Sequence, residues 1–224
     1  MKKIADSNTA AAIQLNVKRK AGHPVGQSDD LTEDEIQKIL SIPDKRKRDE
    51  LRDYAVLLAF CNTPMRKAEL ASLNLSNLVD EGKRQYLTYI GVKKRSKKKY
   101  WLQIQIEKKV YDGISRYVQS EYKDRPMLAD DALFFTLGKH GPYEKRRITP
   151  RAIDKIVAKY KRKAGINKRI TPHSFRATYV TLRENVPPGT MIKLTGHNDI
   201  KSLSPYSRSS RQKVEDAAMS KQFA

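Results

Sequence analysis

From residue 31 onward, apolar residues recur along the chain at helical spacing. In "LTEDEIQKIL" the residues Ile36, Ile39 and Leu40 fall on one stripe. Thr32, followed three residues later by Glu35, has the form of a capping box that starts this helix. A second helix is predicted through "KRDELRDYAVLLAFCN", ending near "TPMR", where Pro64 removes a backbone donor. "KAELASL" restarts a helical pattern after that break. The period then changes. "RQYLTYIGV" and "KYWLQIQI" alternate and are rich in aromatic and β-branched residues, so they predict two strands of a hairpin. A helix follows at about 107–122, then the apolar piece "ALFFTL" and a basic loop, "KHGPYEKRR". "TPRAIDKIVAKYKRKAG" carries Thr149 as cap, Pro150 at the first helical position and Gly165 as its stop. The same opening recurs at Thr171 and Pro172 in "TPHSFRATYVTLREN". The sum is a mainly α domain with a small antiparallel β-sheet, an α+β fold. Residues 1–30, with "AGHPVGQSDD" at their end, have the composition of a linker.

Charge changes this picture most. Among 224 residues, 46 are Lys or Arg and 25 are Asp or Glu, a formal net charge of +21. Such an excess fits a polyanionic partner, most simply nucleic acid, because each neutralised phosphate releases a counterion. A merely basic, soluble surface has the same arithmetic. The excess is also uneven: "KKRSKKK" at the hairpin tip holds six basic residues in seven. The single cysteine, Cys61, excludes a disulfide framework and a Cys-rich metal site, and in "YAVLLAFC" it reads as a small buried hydrophobe. No apolar run reaches the length of a membrane span, and the start lacks a signal-peptide core, so a cytoplasmic, nucleoid-associated protein is expected.

The reactive residue types cluster late in the chain. His173 and Arg176 stand three apart on a predicted helix and so share a face. Arg has a planar fork for phosphate oxygens, and His moves protons near neutral pH. His197 follows Gly196, and Tyr206 lies nine residues further on. Earlier, Arg66 sits at the break between two helices, where a side chain can project into a cleft. Taken singly, each has a plainer reading: a surface arginine, a turn histidine, one tyrosine among eleven.

Taken in order, they resemble the tyrosine recombinases, the family that includes phage integrases. "TPMRKAELASL" is similar to the family's box T-G-L-R-x-x-E-L and brings Arg66, with Pro64 in place of the usual glycine. "KRSKKKYWLQ" is similar to the hairpin pattern K-G-x-x-K-x-R-x-x-P-L with Lys94 as the catalytic lysine, and with Lys93 and Lys97 as its alternatives in the same loop. "HSFRATYVT" is similar to H-x-L-R-H-T-F-A-T, bringing His173 and Arg176, with Ala177 where histidine is frequent. "LTGHNDIKSLSPY" is similar to L-L-G-H-x-x-I followed by the terminal tyrosine, bringing His197 and Tyr206.

The resemblance implies a catalytic domain over residues 31–224. Residues 1–30 would then be a linker or the remnant of a helical DNA-clamping domain. It implies site-specific breakage and rejoining of double-stranded DNA, as in integration, excision or resolution of a DNA element, with no cofactor and no metal. Tyr206 would be the nucleophile, Arg66 and Arg176 the phosphate clamps, Lys94 the general acid, and His173 and His197 the proton and phosphate partners. Lys93, Arg95, Lys97, Lys98, Lys99, Arg146 and Arg147 would contact the DNA backbone. A terminal helix, "SSRQKVEDAAMSKQFA", would dock on a neighbouring subunit, so that a monomer in solution assembles into a tetrameric synapse on DNA. The same residues also serve a type IB topoisomerase or a telomere resolvase, and a non-catalytic DNA-binding protein could keep the fold.

Overall fold

The structure, a computed structural model, describes residues 29–92, 99–123, 126–136, 146–183 and 185–196. Helix α1 (Glu33–Ser41) begins with the expected capping box: Thr32 Oγ1 accepts from the Glu35 amide at 3.2 Å, and the Glu35 carboxylate accepts from the Thr32 amide at 2.8 Å. Helix α2 (Arg48–Asn62) is the centre of the domain. Its run Ala55–Phe60 is buried all round, as a helix must be when neighbours cover every side. Those neighbours are α1, α4 (Lys108–Glu121), α5 (Pro150–Lys163) and α6 (Pro172–Thr181). Phe60 of α2 meets Phe175 of α6 with ring centroids 5.6 Å apart. Burying an aromatic of this kind contributes about 1.5–3 kcal/mol, so the pair fixes α6 against the core.

A short helix α3 (Lys67–Ala71) and a 3₁₀ turn (Leu75–Asn77) lead into an antiparallel sheet, β1 (Leu78–Asp80), β2 (Gln85–Val92) and β3 (Lys99–Ile106), in the order β1-β2-β3. The period-2 pattern places Leu87, Tyr89, Ile104 and Ile106 on the core face, while Ile90 and Trp101, paired directly across the strands, lie on the exposed face. The hairpin predicted from alternation is therefore present, with its basic tip at 93–98 outside the described residues. "ALFFTL" contributes a two-residue strand, β4 (Phe135–Thr136), which pairs with β5 (Arg146–Arg147). A helix not anticipated from the sequence, α7 (Pro188–Thr195), follows "VPPG": Pro188 sits in its first turn, where no amide donor is needed, and Gly196 ends it in the left-handed region at φ 65°. Among the described residues no helix is long and apolar enough to cross a membrane.

The first described residues are bound to the end of the fold. The Leu31 amide donates to Thr178 Oγ1 at 2.8 Å, the Arg169 amide donates to Asp29 at 2.9 Å, and Lys168 Nζ reaches Glu35 at 2.8 Å. Residues 29–35 thus belong to the packed domain. Cys61 packs at the edge of the core, and burial pushes its thiol up to about 12, although the residue as a whole is only partly buried.

Candidate active site

Arg66 owes its position to a locally enforced break. Thr63 leaves the helical region, and its hydroxyl turns back to the Ala59 carbonyl at 2.7 Å. The next residues, Pro64 and Met65, are buried, which pins the loop. Arg66 is then the N-cap of α3. Glu69 reaches back to it twice, accepting from the Arg66 amide at 2.7 Å and from Arg66 Nη1 at 2.8 Å. The side chain remains 40% exposed, so Glu69 holds the guanidinium through Nη1 without burying it. Burial works against its charge, but the Tyr100 hydroxyl and the Glu69 carboxylate together hold the Arg66 pKa above its ordinary value.

Arg176 is the opposite case. It is 1% exposed, the largest fully buried side chain among the described residues. Its Nη1 donates to the Pro64 carbonyl and its Nη2 to the Thr195 carbonyl at 2.7 Å. A buried guanidinium carries a heavy desolvation cost that hydrogen bonds to its charge must offset. Here those bonds also join three segments remote in sequence: the loop before Arg66, the middle of α6 and the end of α7. His173, in the first turn of α6, is exposed one turn before Arg176.

The sheet closes the site from a third side. Tyr100 lies directly opposite Gly91 in the β2–β3 ladder. A Cβ built on either Gly91 or Gly196 would overlap the Tyr100 ring at Cε2, Cζ and Oη. The ring therefore lies between the two glycines. Beneath it, Tyr89 is 1% exposed, its hydroxyl has no partner among the described residues, and burial drives its pKa far up.

Sequence and fold comparisons agree on what this arrangement belongs to. Residues 29–213 match the Phage integrase family. The chain belongs to that family. It is 26% identical over 189 residues to tyrosine recombinase XerA of Pyrococcus furiosus, covering 84% of this chain and 59% of that protein. To tyrosine recombinase XerD of Oceanobacillus iheyensis it is 29% identical over 199 residues, covering 84% and 60%. The chain thus spans about three-fifths of the length of these curated relatives. Among solved structures it resembles the XerA recombinase, with a TM-score of 0.66 at 19% identity over 89% of this chain and 68% of that one. The catalytic domain of bacteriophage HP1 integrase aligns with a TM-score of 0.55 at 17% identity, over 87% and 95%. The expected tyrosine recombinase catalytic-domain fold is the fold observed.

Of the integrase-family residues expected at the site, the structure joins Arg66 and Arg176 through the segments that carry them and sets His173 on the same helix as Arg176. Lys94, His197 and Tyr206 lie outside the described residues, as do Lys93, Arg95, Lys97, Lys98 and the terminal helix. Lys99 opens β3 and is exposed. Arg146 is exposed on β5. Arg147 is exposed as well, and its guanidinium donates to the Leu73 carbonyl at 2.7 Å and to Asn74 Oδ1 at 2.6 Å, tying β5 to the loop after α3. Two residues of the site were not singled out from sequence. Glu69 had a visible signal in R-x-x-E, one helical turn beyond Arg66. Tyr100 had a weaker one, an aromatic placed to face a glycine across a hairpin.

Proposed function

We propose that this protein is a site-specific DNA recombinase that cuts and rejoins double-stranded DNA through a 3′-phosphotyrosyl intermediate. The observation that carries the reading is the pair of hydrogen bonds from buried Arg176 to the Pro64 and Thr195 carbonyls, which ties the loop before Arg66, the helix of His173 and Arg176 and the end of α7 together. The net charge of +21 and the basic hairpin suit a DNA backbone.

In this reading the Tyr206 oxygen attacks a DNA phosphorus, forming a tyrosyl O–P bond as the bond to the 5′-oxygen breaks. The tyrosine proton leaves with the help of His173, and Lys94 supplies a proton to the departing 5′-oxygen. Charge that builds on the non-bridging oxygens is met by Arg66, Arg176 and His197. Arg66 is suited to this because Glu69 restrains it through Nη1 while the side chain stays partly exposed. The phosphotyrosyl bond stores the energy of the broken phosphodiester, so a 5′-hydroxyl reverses the step without ATP. Lys93, Arg95, Lys97, Lys98, Lys99 and Arg146 follow the DNA backbone, and four protomers assemble on paired sites through the C-terminal helix. The test is a nicked suicide duplex carrying the recombination site of the parent element. A covalent protein–DNA adduct should survive a denaturing gel with wild type and be absent with Tyr206→Phe. An adduct that persists in the mutant would overturn the assignment.

A further inference from the structure

The outer face of the β2–β3 ladder carries an indole that strand packing does not explain. Alternation sends Leu87, Tyr89, Ile104 and Ile106 inward and leaves Lys99, Trp101, Gln103 and Gln105 outward along β3. Three of those four outward positions are polar, as a solvent-facing row should be. Trp101 is the exception, and at 70% it is the most exposed of the large apolar side chains among the described residues. Its directly paired neighbour across the strands, Ile90, is 38% exposed, so the two form one apolar patch rather than scattered single residues.

The strands that carry this patch are cationic toward the hairpin end. Neither β2 nor β3 contains an acidic residue, and Lys99 stands on the same face two residues from Trp101. Of the six residues that join the strands in sequence, 93–98, five are basic. The next acid along β3, Glu107, is six residues from Trp101, about 20 Å at roughly 3.3 Å per residue. At that separation its charge is screened, since the Debye length is about 8 Å at physiological salt. An aromatic surface framed by cations fits a polymer in which phosphates alternate with sugars and flat bases. It does not fit a second copy of a chain whose net charge is +21. We propose that Trp101 is a DNA-binding residue, packing its indole on the sugars and base edges of the strand whose phosphates Lys99 meets. The inference rests on the recombinase reading above for its partner. It adds an apolar contact, insensitive to salt, to a hairpin otherwise read as a row of phosphate clamps.

Trp101 is the only tryptophan in the chain, so intrinsic fluorescence reads this one position in the whole protein. The probe is the suicide duplex, added to Tyr206→Phe so that binding is read without cleavage, while wild type is scored for adduct beside it. Acrylamide should quench the free protein readily, and saturating duplex should protect the indole severalfold, with a midpoint that matches the affinity from gel shift. Trp101→Ala should weaken binding by about tenfold, the scale of one lost aromatic contact to a base, and leave the salt slope and melting temperature unchanged. Trp101→Phe should keep most of the affinity. Lys99→Ala is the contrast, because it should flatten the salt slope. An indole quenched equally with and without DNA would overturn the inference and leave the recombinase reading intact. So would protection that grows with protein concentration alone, which would put a second copy on the patch. A Trp101→Ala variant that melts lower yet binds normally would do the same, making the pair with Ile90 a hairpin brace only. If wild type itself forms no adduct, the recombinase reading falls, and this one with it.

Discussion

Nη2 of Arg176 lies 2.7 Å from the carbonyl oxygen of Thr195, and through that bond the interior of α6 holds the end of α7. The same guanidinium holds the Pro64 carbonyl, two residues before Arg66. Under the proposed function one arginine is therefore structural and reactive at once, while the other, Arg66, is mainly reactive.

The two should separate in mutants. Arg176→Ala strands two buried carbonyls, each worth about 1–3 kcal/mol when left unpaired, so melting temperature should fall by several degrees. Arg66→Ala removes a partly exposed side chain, and Glu69 keeps its bond to the backbone amide, so melting should change little. Both should slow cleavage by about 10²–10³-fold, as for a lost oxyanion donor. Lysine should replace neither well, since a point charge lacks the fork. Calorimetry beside cleavage kinetics checks the split; equal melting losses would contradict it.

The hairpin lysines should divide into one general acid and several clamps. Replacing Lys98 or Lys99 should weaken binding and flatten its logarithmic salt dependence by about 0.9. Lys94→Ala should instead slow cleavage far more than it weakens binding. A substrate with sulfur as the bridging 5′ atom needs no proton donor, so it should rescue Lys94→Ala and leave Arg176→Ala slow. Rescue of Lys93→Ala or Lys97→Ala in its place would move the general acid along the loop.

Arg147→Ala should cost stability rather than DNA affinity. Its bonds to Leu73 and Asn74 hold β5 to the loop after α3, and breaking them should cost about 1–3 kcal/mol. Thermal unfolding and a salt titration of DNA binding distinguish the roles. A smaller salt slope in the mutant would return Arg147 to the DNA contacts.

Cys61 offers a chemical check on packing. At pH 8 the folded thiol, raised from 9.0 to about 12, should resist iodoacetamide, whereas the unfolded chain reacts. The folded state holds its proton more tightly, so the contribution to stability is complete below pH 9 and lost as pH rises toward 12. Rapid labelling of the folded protein would show the core open at the end of α2.

Local patterns carried much of this protein. Thr32 and Glu35 are three residues apart, and a capping box is decided within that span. Alternation in 85–92 and 99–106 could only bury one face, so the hairpin and its buried face were readable. Helix α7 was hidden, because "VPPG" resembles a turn until Pro188 is recognised as a helix start. The tie of Arg147 to Leu73 was hidden for a related reason: charge composition does not show that a guanidinium meets a carbonyl 74 residues away in the chain.

The sequence by itself determined the family and the order of the boxes that carry Arg66, His173 and Arg176, since residue type and spacing suffice for those. Only the tertiary structure decided that Arg176 is buried on the carbonyls of Pro64 and Thr195 and that Tyr100 lies between Gly91 and Gly196. Each is a contact between segments brought together by core packing. A hydrogen bond across the fold depends on distance and direction, and neither is written in the spacing of residues along the chain.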